Sequence, residues 1–299
     1  SMRTVYDLLV ASGHHEALTR HGQLWVGSPS GPHSEGYQEW AERCLSEGED
    51  PKVAVEAMLA LTFNAYASAP GGCFQMVYPT ISKANHSCAP NATVVAPEQG
   101  PGSIVCMRDI APGEEVLVSY LTDQDLTQPA AARKKQLSDN WEFECACQRC
   151  QDQTDDVRRF TCPGGCGGCC RGLRPGASEP QCAAAPCDMC GAEPAAEVVS
   201  AWEEQEKEVE ALIGGLPSTL YSAWAPSEDF AAAHPEHWLA CLWKRHLAAR
   251  TELDAEEADT PLEAEELRAE AARHRATAER CCQALLQPPG GRLSVELAQ

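Results

Sequence analysis

Several closely spaced cysteines in this sequence have the side chain and the spacing that zinc requires. Cys145, Cys147 and Cys150 lie close together, and three thiolates at this spacing can wrap one face of a tetrahedral Zn²⁺ ion. A structural zinc site needs a fourth ligand. No further cysteine follows until Cys162, which opens a cluster of its own. Cys88 can complete the set if the fold brings it close, although a single cysteine is ordinarily a small buried thiol.

A second group of cysteines occupies CPGGCGGCC at 162–170 and CDMC at 187–190. Two short-spaced pairs separated by a loop are typical of zinc knuckles. Cys187 and Cys190 form one pair, and on the other side four cysteines compete: Cys162, Cys166, Cys169 and Cys170. We assign Cys162 and Cys166 to the second zinc and regard Cys182 as a spare. The alternative interpretation is a Gly-rich, redox-sensitive loop.

Two further stretches combine residues that seldom occur together. NHSCAPN at 85–91 joins turn-forming Asn and Pro to the metal ligands His and Cys, and GEEVLVSY at 113–120 ends a β-type run on a tyrosine. Taken singly, the Asn-His pair reads as a turn and the tyrosine as a packed aromatic residue. Only the occurrence of both stretches together favours a binding or catalytic role.

In their order along the chain, these motifs resemble the C-terminal half of a SET domain, specifically that of the SET- and MYND-domain (SMYD-like) protein-lysine methyltransferases. The matching elements are Asn-His-Ser-Cys-x-Pro-Asn at 85–91, Gly-Glu-Glu-x-x-x-x-Tyr at 113–120, and the post-SET Cys-x-Cys-x-x-Cys at 145–150, preceded by Phe143. The resemblance is close over about 60–150 and looser over the helical C-terminal region. It implies S-adenosyl-L-methionine (SAM) as the methyl donor and a lysine amine as the acceptor.

The resemblance also implies roles for individual residues. The backbone groups of Asn85 and His86 would hold the adenine of SAM, and the Asn85 side chain would face its amino-acid end. Asn64 and Ser82 would line the same pocket. These expectations follow from the family and not from the spacing of the residues.

The catalytic residue implied by the resemblance is Tyr120, whose hydroxyl would point at the methyl group and at the target nitrogen. Phe143 would cover the adenine or close the lysine channel, and Tyr66 would wall that channel. The post-SET zinc would be bound by four thiolates, those of Cys88, Cys145, Cys147 and Cys150.

The sequence departs from the family in its N-terminal part. The Gly-x-Gly loop that grips SAM is not visible, because Gly31 in SGPHSEGY follows no strand pattern, and the MYND cysteines are not visible either. The chain would then be truncated, divergent, or part of a larger enzyme. These departures favour a rival function from another class, a catalytically inactive, zinc-stabilised protein-interaction module derived from a SET protein.

Composition limits the partners and the compartment. The net charge is −21, with 44 acidic and 23 basic residues among 299, which argues against direct nucleic-acid binding and suits a basic protein substrate such as a histone. The sequence contains no run of 18 uncharged apolar residues, so it predicts no membrane span. The 17 cysteines favour zinc over disulfides, since no signal-peptide pattern opens the sequence. We therefore expect a monomer in the cytoplasm, the nucleus or both.

Hydrophobic periodicity predicts an α+β protein whose elements would position these residues. The resemblance implies that the β region is a SET-type antiparallel fold. It would precede a Cys-rich zinc region with little other secondary structure and an α-helical, tetratricopeptide-like (TPR-like) C-terminal domain, which helical spacing and the Pro-containing gaps suggest. The β region would be an antiparallel meander over 73–120. The predicted helices are 3–20, 37–68, 131–143, 195–214, 229–252 and 261–287. The predicted domains are 1–60 (helical), 61–144 (SET-type core), 145–194 (post-SET and Cys-rich) and 195–299 (helical).

Overall fold

The fold was analysed in a computed structural model of the chain. It describes residues 2–13, 24, 27, 30–67, 75–97, 101–174, 184–214 and 225–286. These residues divide into two compact units, the first comprising Ser1–Leu121 and Lys134–Cys150, and the second Thr122–Arg133 and Gln151–Gln299. The division into four domains stays a prediction.

The first unit begins with helices that form its hydrophobic core. They are α1 (Met2–Ala11), α2 (Pro32–Cys44) and α3 (Pro51–Asn64). Tyr6, Trp40 and Phe63 are among the buried side chains. The predicted helix over 37–68 is wrong as one element. Asp50 caps α3 by accepting a hydrogen bond from the Lys52 N–H at 2.9 Å, and Pro51 follows at the first helical position. A new helix therefore begins there. Residues 14–20 of the first predicted helix lie outside the described residues.

The strands of the first unit are short and pair two by two. They are β1 (Ala65–Ala67), β2 (Gln75–Val77), β3 (Asn85–His86), β4 (Ala92–Val95), β5 (Ser103–Cys106) and β6 (Leu117–Val118). The pairs β1–β2 and β4–β5 are antiparallel. The continuous antiparallel meander is wrong, because β3 and β6 pair in parallel, with Asn85 opposite Leu117 and His86 opposite Val118. Period-two patterning predicts strands but not their partners. Cys73 lies outside the described residues.

Two helices follow the strands. They are α4 (Asp123–Leu126) and α5 (Ala130–Trp141). The second confirms the predicted basic helix. The residue after this helix is Glu142, a non-glycine residue with φ of 57°. This left-handed conformation is common where helices terminate. The chain then turns into Phe143 and the cysteine-rich segment, which opens with α6 (Gln148–Gln151).

The second unit contains a β-hairpin inside the cysteine-rich segment. Its strands are β7 (Thr154–Thr161) and β8 (Cys169–Leu173), which pair antiparallel with a register irregularity between Thr154 and Arg159. The expectation of little secondary structure over 145–190 is therefore wrong. Buried residues alternate along most of both strands, but the buried positions include Asp155, Cys170 and Gly172, which hide the usual apolar pattern.

The described residues of the second unit beyond 195 are mainly helical, as predicted. The helices are α7 (Ala196–Gly214), α8 (Ala225–Ala233), α9 (Trp238–Glu256) and α10 (Pro261–Leu286). The predicted helix over 229–252 is divided, since His237 caps a new helix by accepting from the Leu239 N–H at 3.2 Å. The helices α9 and α10 are antiparallel, because Cys241 donates to Ala278 O at 3.4 Å near opposite ends of the two.

These observations confirm the α+β class, with small sheets, cysteine clusters and a helical C-terminal region. Within the described part of the chain, no helix combines the length and the apolar composition that crossing a membrane requires.

Candidate functional site

The structure brings together the four thiols of the first predicted zinc site. The Sγ atoms of Cys88, Cys145, Cys147 and Cys150 all lie within 4.8 Å of one another, and those of Cys88 and Cys150 are 3.5 Å apart. The local backbone explains the arrangement: the Cys150 N–H donates to Cys147 O at 2.8 Å, and Arg149 donates from its guanidinium to Cys88 O at 2.8 Å. Arg149 thus fastens the distant Cys88 to the three-cysteine turn.

A second thiol cluster forms beside the β7–β8 hairpin. Its members are the four assigned cysteines, Cys162, Cys166, Cys187 and Cys190, whose Sγ atoms again lie within 4.8 Å of one another. The Cys162–Cys190 and Cys166–Cys187 sulfur distances are 3.7 and 3.5 Å.

The competing cysteines of this segment face elsewhere. Cys169 Sγ lies 3.7 Å from a carboxylate oxygen of Glu236, and Cys170 is fully buried in the strand. Cys182 lies outside the described residues.

Both clusters fit a zinc ion by their donor set and their spacing. With Zn–S bonds of about 2.3 Å, a regular tetrahedron places its sulfur atoms about 3.8 Å apart. The measured sulfur distances of 3.5–3.7 Å lie close to that value. Four thiolates would fill the coordination shell, so an ion bound here would be structural.

Cys147 in the first cluster and Cys187 in the second have lowered pKa values. Backbone N–H groups of Cys190 and Met189 donate to the Cys187 sulfur and lower its pKa to about 7. In the first cluster, hydrogen bonds from Cys145, Cys150 and Cys88 hold the pKa of Cys147 well below its usual range. The pKa of Cys88 is raised in turn, because its thiol is hydrogen-bonded to Cys145 and the other two cysteines. A bound cation would replace these shared protons.

Asn91, the last residue of the NHSCAPN stretch, joins the start of β4 to β6. Its side chain is 1% exposed. The amide nitrogen donates to Glu115 O at 2.8 Å and the amide oxygen accepts from the Leu117 N–H at 2.8 Å. All of its polar atoms are thus used inside the fold, which gives this asparagine a structural role. The Ser87 N–H continues the parallel pairing by donating to Val118 O at 2.9 Å.

This parallel pair positions Tyr120 directly after β6. The Tyr120 N–H donates to His86 Nδ1 at 3.0 Å, and the Tyr120 hydroxyl donates to Ala84 O at 2.9 Å. Burial raises the pKa of the hydroxyl, with a smaller contribution from Glu115, so it is neutral at physiological pH. Since its proton is engaged, the lone pairs of the oxygen remain to accept a hydrogen bond.

Aromatic rings surround Tyr120. The ring centroids of His86, Trp141 and Phe143 lie 5.3, 5.7 and 6.2 Å from its own. Trp141 was missed by the sequence analysis, where it appeared as one residue of the predicted helix 131–143. Its position two residues before Phe143, at a helix end, is the signal that could have identified it.

The remaining predicted site residues make contacts within the first unit. Burial raises the pKa of Tyr66 to about 12, and the nearby Tyr120 adds to the shift. Ser82 donates to Asn64 O at 3.1 Å, so these two predicted pocket residues are in contact. Asn64 is buried, and its amide nitrogen donates to Ala60 O at 2.8 Å. Asn85 is exposed and donates to a Glu115 carboxylate oxygen at 2.6 Å.

Glu142 is a second residue that the sequence analysis missed. Its carboxylate accepts a hydrogen bond from the His33 N–H at 3.1 Å, in the first turn of α2, where a negative charge is favourable. A Cβ atom on Gly31 would approach this carboxylate to 2.0 Å. Because Gly31 has no side chain, the Glu142 carboxylate can lie against it. The neighbours of Glu142, Trp141 and Phe143, face Tyr120.

Comparison with known proteins places this geometry in a class. Residues 35–121 match the family model of the SET domain. The chain is 43% identical over 86 residues to the histone-lysine N-methyltransferase SMYD3 of Homo sapiens. The matched segment covers 28% of this chain and 19% of that protein. It is 41% identical over 77 residues to the protein-lysine N-trimethyltransferase SMYD5 of Danio rerio, covering 25% of this chain and 19% of that protein.

A third relative extends the match. The histone-lysine N-methyltransferase SET5 of Meyerozyma guilliermondii is 31% identical over 137 residues, or 45% of this chain and 27% of that protein. The matched part therefore spans about a fifth to a quarter of the length of these relatives. Over this part the chain is similar to the SET domain and to proteins of the SMYD type.

Proposed function

We propose that the first unit is the methyl-transfer site of a SAM-dependent protein-lysine N-methyltransferase. The observation that carries the proposal is the setting of Tyr120, whose backbone N–H and hydroxyl are held by His86 and Ala84 within a group of aromatic rings. Tyr120 and the stretches 85–91 and 113–120 lie within residues 35–121, which match the SET-domain model.

When bound, SAM supplies an electrophilic methyl group on a positively charged sulfonium. The protein then has mainly to orient a neutral lysine amine in line with that methyl. The Tyr120 oxygen, whose proton is held by Ala84 O, accepts an N–H of the amine. Trp141, Phe143 and Tyr66 would exclude water around it, and Phe143 would cover the adenine.

The cofactor pocket uses residues of the first unit alone. Asn85 and His86 would hold the adenine and the amino-acid end. The exposed Asn85 side chain would exchange its hydrogen bond to Glu115 for one to the ligand. Ser82 and Asn64 line the pocket as a hydrogen-bonded pair. Asn64 acts through its backbone and shape in this arrangement, since its amide nitrogen is bonded within α3.

Two structural zinc ions complete the proposal. One is bound by Cys88 with Cys145, Cys147 and Cys150, and it holds Phe143 beside Tyr120. The other is bound by the cluster Cys162, Cys166, Cys187 and Cys190 in the second unit. The substrate is a lysine on a basic protein such as a histone, in keeping with the net charge of −21, and the site of action is the cytoplasm or the nucleus.

The first experiment is calorimetric titration of SAM and S-adenosylhomocysteine into the zinc-loaded chain. Tyr120→Phe is then compared with the parent in methyl transfer to a panel of lysine-bearing basic proteins. Losing one preorganised polar group of this kind lowers the rate about a hundred- to a thousand-fold. Zinc content and SAM binding should be nearly unchanged, because the ring is kept.

The matched control is Tyr37→Phe, which removes a phenolic hydroxyl bonded to Thr62 Oγ1 at 2.7 Å, away from Tyr120. Equal rates for Tyr120→Phe and the parent would remove Tyr120 from the mechanism. Firm SAM binding with no methyl transfer to any protein would instead favour the zinc-stabilised interaction module.

A further inference from the structure

The imidazole of His86 bridges the first thiol cluster and Tyr120. Its Nε2 atom lies 3.3 Å from the Sγ of Cys88, and its Nδ1 atom accepts the Tyr120 N–H at 3.0 Å. The side chain is only partly exposed, and its ring packs against the rings of Tyr120 and Phe143.

These two contacts determine the tautomer of the ring. A backbone N–H can only donate, so Nδ1 must be the unprotonated nitrogen. In a neutral imidazole the proton then resides on Nε2 and points at the Cys88 sulfur. Hydrogen bonds to a thiolate are charge-assisted, and a histidine N–H directed at a metal-bound thiolate stabilises the anionic ligand.

The backbone reinforces this bridge. His86 and Val118 are opposite each other in the parallel β3–β6 pair, two residues before Tyr120, and Cys88 follows His86 by two residues. A shift of Cys88 therefore reaches Tyr120 along two routes, the strand pairing and the imidazole. Only the imidazole can be removed without changing the backbone.

We propose that His86 is a positioning residue that couples the metal at Cys88 to the placement of Tyr120. Its Nε2–H holds the Cys88 thiolate, and its Nδ1 holds the Tyr120 backbone. The catalytic value of this coupling rests on the proposed function, in which Tyr120 takes part in methyl transfer. The two hydrogen bonds themselves are measured without methyl transfer. Loss of such an outer partner typically weakens metal binding about 10- to 100-fold.

Two substitutions separate the two contacts. In His86→Asn the side-chain oxygen occupies roughly the place of Nδ1, so the bond from the Tyr120 N–H is kept and the donor to Cys88 is lost. In His86→Gln the amide nitrogen reaches roughly the place of Nε2, so the donor is kept and the acceptor for Tyr120 is lost. Each variant is therefore the control for the other.

The measurements use the full chain loaded with ¹¹³Cd or with zinc. ¹¹³Cd NMR reports each tetrathiolate cluster separately, and the rate of zinc loss to a chelator reports its strength. The Tyr120 amide is followed in ¹⁵N-labelled protein, and the ¹⁵N shifts of the imidazole report the tautomer in the parent. The cluster at Cys162 is the internal reference, since its resonance should not move in either variant.

We expect His86→Asn to shift the cadmium resonance of the Cys88 cluster and to speed its zinc loss about 10- to 100-fold, while the Tyr120 amide changes little. His86→Gln should leave the cadmium resonance and the zinc loss of the Cys88 cluster nearly unchanged and should shift the Tyr120 amide. A parent tautomer protonated on Nδ1, or a Cys88 cluster that is identical in the parent and in His86→Asn, would overturn the proposal. Either result would leave the SAM-binding and transfer assays of the proposed function untouched, so the two failures are distinguishable.

Discussion

Glu114 is the single side chain that joins the turn before β6 to the buried Asn91. Its carboxylate pairs with the Arg108 guanidinium, accepts from the Ala111 N–H at 3.1 Å, and accepts from the Asn91 amide at 3.1 Å. These contacts lower its pKa to about 2, with Arg108 as the largest cause. The charged form of Glu114 therefore stabilises the turn that leads to Tyr120.

The lowered pKa predicts how stability depends on pH. Because the folded-state pKa lies below that of the unfolded chain, the contribution of Glu114 is complete above about pH 4.5 and is lost as the pH falls towards 2. Glu114→Gln should lower the thermal stability of the first unit at pH 7, and its difference from the parent should shrink below about pH 4.5.

Thermal unfolding from pH 7 to pH 3 tests this prediction, together with ¹³C NMR titration of the Glu114 carboxyl. Arg108→Gln should move that titration upwards. Lys135→Gln, which breaks the exposed pair with Asp139 on α5, should not. A Glu114 carboxyl that titrates at an ordinary value in the parent would contradict the prediction.

At this scale the sequence predicted residue types better than contacts. The short-spaced cysteines of the two clusters follow from ligand chemistry and spacing, because such thiols need few turns of chain to converge. Cys88 is distant in sequence and was assigned to its cluster through the family resemblance. Trp141 and Glu142 could not be found in this way. One became important through a ring contact with Tyr120, and the other through a hydrogen bond to His33, which is 109 residues away.

Among the elements of the second unit, α7, β7 and α9 are joined by one buried carboxylate. Glu206 on α7 accepts from the Arg158 guanidinium on β7 at 2.9 Å and from Trp238 Nε1 on α9 at 3.1 Å. His237 Nε2 lies 3.3 Å from the same carboxylate. Bonds to Arg158 and His237 outweigh the effect of burial and keep the pKa of Glu206 well below its usual range.

Glu206→Gln should therefore weaken the second unit by about 3 kcal/mol, because Arg158 would remain buried without its counter-charge. Hydrogen exchange of peptides from α7 and β7, followed in increasing urea, measures the loss. Glu208→Gln, an exposed position on the same helix, is the matched control and should change little. Equal protection in the two variants would show that the pair does not join these elements.

The elements also show where sequence patterns lose information. Helices α5, α7 and α10 follow from 3.6-residue periodicity, which is a local property. The parallel pairing of β3 and β6 does not, because two residues of strand carry no signal for a partner about thirty positions away. The β7–β8 hairpin was hidden for another reason: its buried positions include Asp155, Cys170 and Gly172, which conceal the apolar alternation expected of a strand.

At the scale of the whole molecule, each compact unit has its own hydrophobic core and its own thiol cluster. The first unit has the core around Trp40 and Phe63 and the cluster that includes Cys88. The second unit has the core around Phe160 and Trp202 and the cluster that includes Cys187. Since no ligand of one cluster belongs to the other unit, the two metal ions should bind independently.

The chain should accordingly contain two zinc ions, and single substitutions should remove them one at a time. Cys147→Ser should release the ion of the first unit and Cys187→Ser that of the second, and the double variant should release both. Metal binding energy is also folding energy, so each variant should lose hydrogen-exchange protection mainly in the unit that it affects. Native mass spectrometry with elemental analysis counts the ions. Cys44→Ser, at an exposed cysteine outside both clusters, should retain two, whereas a parent with one ion, or a Cys187→Ser variant with two, would refute the second site.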